Sequence, residues 1–137
     1  MGITQRALDL SVEYAKNRKQ FGESIGNFQM VQAMLADMYT DLETMRALTY
    51  QLGREIHDLA KGEGGRGVIH KRSAAVVLHA GRASMRVLDS AVQIHGGMGF
   101  MRESEVNRLY RSRKVLEIGA GTNQVRQIIV AAELLRG

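Results

Sequence analysis

The sequence contains no cysteine, no proline and no tryptophan in 137 residues. Without cysteine there is no disulfide framework, no thiolate zinc site and no thiol nucleophile. Without proline nothing forces a helix to stop, so helices can run long, and the 15 glycines do the punctuating. Long apolar runs are missing too. The longest charge-free apolar stretch, Ser73 to Leu78 and its flanks, is far short of the roughly 20 residues that cross a bilayer, which predicts no membrane insertion. Arg6, Asp9 and Glu13 stand where a secretory leader would need an apolar run. What remains is 45% apolar and 24% charged, the balance of a globular chain. Its length fits one domain, residues 1–137. The net charge, 19 − 14 = +5, favours anionic partners, although the basic residues are mostly scattered and also serve solubility.

Apolar periodicity is helical throughout. Ile3, Ala7, Leu10 and Tyr14 mark a first helix that fades near Asn17, followed by a loop over residues 18–27 with Asn27 as the candidate N-cap. Phe28, Val31, Leu35, Met38, Leu42, Met45, Thr49, Leu52, Ile56 and Leu59 then step by three and four without interruption. This is the 3.5 period of a bundle seam. It predicts a helix from Asn27 to Lys61, on the order of 50 Å long. Gly62, Gly64, Gly65 and Gly67 break the pattern. A third helix is expected from Val68 to His95, with small seam residues Ala74, Gly81, Ser84 and Ala91 that allow close helix approach. Gly96, Gly97 and Gly99 end it. A short helix over Ser104 to Lys114 leads to an apolar turn, Val115 to Ile118. Thr122 caps a last helix whose expected buried stripe is Val125, Ile128, Ile129, Ala132 and Leu135. No strand pattern and no repeat is visible. The expected fold is all-α, an up-down four-helix-type bundle with an additional short helix.

The chemistry-bearing residues are individually ambiguous. His57, His70, His79 and His95 include no i, i+4 pair and no Glu-x-x-His, so no metal site is expected. Gly96-Gly97-Met98-Gly99 follows a helix and is neither a Rossmann nor a Walker loop; it is a C-cap, or a side-chain-free backbone that a ligand can approach. Gly119-Ala120-Gly121-Thr122 opens a helix, where N–H groups and the dipole favour an anion. Arg18-Lys19-Gln20-Phe21 and the run from Arg108 to Lys114 are the denser basic spots, solvated faces or phosphate contacts.

Together these spots form a pattern. Tyr14-Ala15-Lys16-Asn17-Arg18-Lys19-Gln20-Phe21-Gly22, Phe28-Gln29 through Leu35-Ala36-Asp37-Met38, Gln93-Ile94-His95-Gly96-Gly97-Met98-Gly99-Phe100, Tyr110-Arg111-Ser112-Arg113-Lys114 and Gly121-Thr122-Asn123-Gln124-Val125 resemble, in order, the C-terminal helical domain of the acyl-CoA dehydrogenase family. The family's N-terminal helical domain and middle β-domain have no counterpart in these residues. The resemblance implies a flavoenzyme that oxidises an acyl-CoA to the 2,3-enoyl-CoA and passes electrons to an electron-transfer flavoprotein. It implies FAD as cofactor, a homo-oligomer (dimer or tetramer), and a cytoplasmic or mitochondrial-matrix setting. Position by position, it implies that Arg18 and Phe21, Phe28 and Gln29, Gln93 with Gly96 and Gly97, and Thr122 with Gln124 contact the cofactor.

One departure bears on catalysis. Many members carry Tyr-Glu-Gly-Thr where this chain has Gly119-Ala120-Gly121-Thr122, and that Glu is the family's base. Ala120 cannot accept a proton, and Glu117 lies three residues too early. The Gly-Ala-Gly-Thr form resembles the isovaleryl-CoA dehydrogenase branch, in which the base is a Glu upstream of the position matching Met1. No catalytic residue is therefore expected in this chain, which would be inactive alone. Gly119, Ala120 and Gly121 form the expected substrate loop, with room for a branched or bulky acyl group. Two alternatives are a non-catalytic helical binding or assembly module of the same family and a basic bundle binding nucleic acid. The second finds little support in three Phe and four Tyr as stacking platforms.

Overall fold

The computed structural model describes residues 1–59 and 67–136. Four helices carry the fold: α1 (Gly2–Asn17), α2 (Gln29–His57), α3 (Val68–His95) and α7 (Asn123–Leu135), with α4 (Gly97–Phe100), α5 (Glu105–Arg113) and α6 (Val115–Ile118) between the last two. Cross-links give their directions. Asp41 pairs with Arg86 and Glu55 with Arg72, so α2 and α3 are antiparallel. His70 faces Glu133 at 3.5 Å while Gly81 sits against Asn123, so α3 and α7 are antiparallel as well. Arg46 of α2 donates to Gln5 of α1 at 2.7 Å, and Ser24, just before α2, reaches Ala15 O at 2.6 Å, which orients α1 against α2. The expected up-down bundle is what forms.

α3 is the axis, packing against α1, α2, α5 and α7. The core gathers Ala7 and Leu8 of α1, Met38, Leu42 and Met45 of α2, Ala83, Val87, Leu88 and Ala91 of α3, and Val106 of α5. Ala7, Met38, Leu42, Met45, Leu88 and Ala91 are seam positions read from the three-four spacing, and α2 runs unbroken through its own; Leu8, Ala83, Val87 and Val106 join the core from outside those seams. The small seam residues do what their size allows. A Cβ on Gly81 would come within 3.0 Å of Asn123 Oδ1, so glycine there sets how closely α7 docks.

Four expectations are corrected. α2 begins one residue later than expected: Phe28, extended, is the N-cap, and Asn27 instead donates to Glu23 at 2.9 Å within a 3₁₀ turn over Ile25–Asn27. Lys61, the expected end of this helix, lies outside the described residues, in which α2 ends at His57. The loop after α1 is not strandless. β1 (Lys19–Gln20) and β2 (Glu23–Ser24) form an antiparallel pair around a two-residue turn. Phe21 and Gly22 there have φ of 53° and 88°, the positive-φ pattern of a type I′ hairpin. The helical turns after α3 number three rather than one, because the glycine run continues into α4 and the Val115–Ile118 turn closes as α6. Finally, α7 buries nothing: Ile129 and Ala132 are half-buried, while Val125, Ile128 and Leu135 are exposed.

Candidate functional site

Helix α1 ends where Arg18 turns extended, with its N–H bonded to Tyr14 O at 2.8 Å and its carbonyl accepting from Ile25 N at 2.9 Å. Both backbone ends are thus fixed. Its side chain is exposed and has no hydrogen-bond partner among the described residues. Ser24 Oγ, within 3.0 Å of both Ala15 O and Lys16 O, ties the hairpin to the end of α1. Opposite, α3 stops at Gly96, whose φ of 56° and ψ of −134° suit glycine alone. Arg18, Gly96 and Gly97 come together as walls of one cavity of about 630 Å³, with Tyr14, His95 and Met98.

The three glycines divide their work. A Cβ on Gly99 would meet Val92 O at 2.6 Å and His95 Cβ at 2.9 Å, so that glycine serves the packing of α4 on α3. A Cβ on Gly96 or Gly97 would meet nothing within 4 Å. At Gly97 no internal contact demands the bare backbone.

A second hollow, about 710 Å³, lies across Ile94 from the first and is lined by Phe21, Phe28, Gln29 and Gln93. Phe21 is 94% exposed at the hairpin tip and meets Phe28 edge to face, with ring centroids 6.2 Å apart. Seven of the residues singled out in the sequence therefore converge on one end of the bundle.

Thr122 and Gln124 do not join them. They sit at the start of α7, which docks near Gly81, and Gly81 is roughly 20 Å along the α3 axis from the Gly96 end. Thr122 is the expected cap, with Oγ1 accepting from Val125 N at 3.3 Å. Before it, Ala120 adopts a φ of 52°, and Arg126 holds its carbonyl at 3.2 Å. Among the described residues Phe21 and Ala120 are the two non-glycines with positive φ, one in each group. Glu117, three residues before Ala120, already has partners of its own. Its carboxylate pairs with Lys114 at 2.5 Å and accepts from Asn123 at 3.4 Å.

Arg113 is a residue that sequence reasoning missed. The basic run from Arg108 to Lys114 suggests a solvated face or phosphate contacts, yet Arg113 is 5% exposed. Nε donates to Ser84 Oγ at 2.6 Å and Nη2 to Ala80 O at 3.2 Å. Burial pushes its pKa down, with Glu117 opposing. Ser84 in an otherwise apolar seam was the available signal.

Residues 1–135 match the family model for the acyl-CoA dehydrogenase C-terminal domain. The chain belongs to the acyl-CoA dehydrogenase family. It is 40% identical over 136 residues to the mitochondrial isovaleryl-CoA dehydrogenase of Oryza sativa subsp. japonica, covering 99% of this chain and 32% of that protein. It is 38% identical to the caffeyl-CoA reductase–Etf complex subunit CarC of Acetobacterium woodii, covering 99% and 34%. The butyryl-CoA dehydrogenase structure from Megasphaera elsdenii superposes with a TM-score of 0.87 at 37% identity, over 98% of this chain and 33% of that one. The chain thus spans about a third of the length of the relatives it matches. The all-α fold is the one found in the matched third of that structure, and among the described residues no helix is long and apolar enough to cross a membrane.

Proposed function

We propose that this domain holds the adenosine diphosphate side of FAD, and that it does so as part of an acyl-CoA dehydrogenase acting on a branched or bulky acyl-CoA. The observation that carries the reading is the shared wall of Arg18, Gly96 and Gly97. The residues fit such a group. A guanidinium fixed at its backbone and free at its fork can pair a pyrophosphate bidentately, and two glycines with open space at their Cβ positions admit a backbone approach. Phe21 and Phe28, with Gln29 and Gln93 beside them, offer an apolar surface with polar edges to the rest of the dinucleotide. When bound, FAD supplies the two-electron acceptor for desaturation.

The Gly119–Gly121 loop and Thr122 with Gln124 form a separate element that faces the reacting end. The loop turns at the positive φ of Ala120, whose carbonyl accepts from Arg126, and the methyl of Ala120 leaves the volume of a larger side chain to substrate. Ala120 has no group to take the α-proton, and on this reading the base is the upstream Glu that the Gly-Ala-Gly-Thr resemblance implies. The isovaleryl-CoA relative supports a branched substrate, and the Etf-complex relative a flavoprotein acceptor. The exposed apolar side of α7 suits a homo-oligomer.

The test is Arg18→Ala in a complete enzyme carrying this domain. Loss of a charge-assisted fork should weaken FAD by about 1.5–3 kcal/mol, read by flavin fluorescence titration. Unchanged FAD affinity would remove Arg18 from the site.

A further inference from the structure

His95 lines the same cavity as Arg18, Gly96 and Gly97, and unlike the glycines it brings a polar side chain to it. It is buried, and its ring stacks on Tyr14 with centroids 4.3 Å apart and planes 27° from parallel. Its Nδ1 lies 2.8 Å from Ala91 O, one helical turn back. A carbonyl oxygen can only accept, so Nδ1 carries the hydrogen and donates it. In that tautomer Nε2 presents a lone pair. The stack and the backbone bond fix the ring on two sides, and Nε2 is its single uncommitted polar atom. The contrast with His79 is instructive, because there Nε2 is sealed inside the protein without a partner, whereas His95 forms cavity wall.

We propose that His95 is a ligand-binding residue of this cavity: Nε2 accepts a hydrogen bond from a donor on the bound nucleotide, a sugar hydroxyl or the exocyclic amine of the base. The proposal rests on the nucleotide reading of the cavity and adds a recognition element to it. Arg18 and the glycines can hold any diphosphate; an oriented acceptor distinguishes among the groups attached to it. Tyr14 acts as a positioning residue, since its ring sets the plane in which the lone pair points.

The experiment uses the 137-residue chain with ADP as probe, alongside 2′-deoxy-ADP, 3′-deoxy-ADP and purine riboside diphosphate, which lack one donor each. Titrations are followed by NMR, including the His95 ring nitrogens. The wild-type chain should bind ADP about fivefold to tenfold more tightly than one of the three analogues, the scale of one hydrogen bond. Which analogue is weakened identifies the sugar or the base as the donor. His95→Phe, which keeps an aromatic ring against Tyr14, should bind ADP and that analogue equally. In the wild type the Nε2 resonance should shift with ADP and not with the discriminating analogue, a readout that needs no variant to fold. Equal binding of all four probes by the wild type, or discrimination that survives in His95→Phe, overturns the role of His95 while ADP binding weakened by Arg18→Ala upholds the cavity. No ADP binding by the wild type overturns both.

Discussion

Helices α3 and α7 look alike in sequence and end up unalike. Both are amphipathic, and both show an apolar stripe at helical spacing. Yet α3 buries nine residues and α7 none. The difference is in the number of neighbours. α3 has helices on several sides, whereas α7 packs chiefly on α3 and turns Val125, Ile128 and Leu135 to solvent. Periodicity reports that a helix has an apolar side; it does not report how many partners are there to cover it.

The sharpest way to break this comparison is to truncate one residue of each stripe. Leu88→Ala, at a position with no exposed surface, should cost about 2–5 kcal/mol in urea unfolding. Ile128→Ala, at 67% exposure, should stay within about 0.5 kcal/mol. On the homo-oligomer proposed above, Ile128→Asp should instead shift sedimentation toward monomer, because it places a charge on the exposed apolar stripe. Comparable losses of stability at both sites, or no change in sedimentation, would mean α7 is covered within the chain.

A finer test uses two glycines that crowd a backbone carbonyl, one beside each helix. A Cβ on Gly99 would lie 2.6 Å from Val92 O, and one on Gly119 2.9 Å from Val115 O. Gly99→Ala is wedged against α3 and should destabilise the whole domain by about 1–3 kcal/mol. Gly119→Ala lies in an exposed loop that can yield, so its effect on the unfolding midpoint should be much smaller. Equal shifts would show the α6–α7 loop to be as rigid as the core.

The smallest effect is electrostatic and lies on the α1–α5 side. Arg6 hydrogen-bonds Glu105 through two 2.9 Å contacts and holds that carboxyl below the usual range. A depressed carboxylate adds stability above its unfolded pKa, about 4.3, and loses it as pH falls through the folded value. Arg6 is exposed and Glu105 only half-buried, so salt screens the pair. Arg6→Met should make the denaturant midpoint fall slightly less steeply below about pH 5, and high salt should bring wild type to the same slope. A steeper fall in the variant would contradict the pairing.

These cases also show what could be read beforehand. The bounds of α3 were legible because glycine flanks it at Gly67 and Gly96 and its seam is uninterrupted. The hairpin was not. Lys-Gln-Phe-Gly-Glu-Ser shows no alternation of apolar and polar residues, and Phe21 is an unusual occupant of a positive-φ position. Asn27 was a reasonable cap by residue type, but Glu23 took its side chain. Arg18, Gly96 and Gly97 were found by motif, and the fold puts them on one cavity. Arg113 escaped because a charge in a basic run suggests solvent, and its partner Ser84 lies 29 residues earlier on another helix.

The hairpin tip has a further consequence, in entropy. A surface phenylalanine usually samples many backbone and side-chain states, and ordering it opposes association. Phe21 has surrendered its backbone share of that freedom already. Its φ is set by the two-residue turn, the strands on either side are paired, and Phe28 leans against its ring. The cost of ordering was met when the domain folded, so whatever docks against this ring finds it in place.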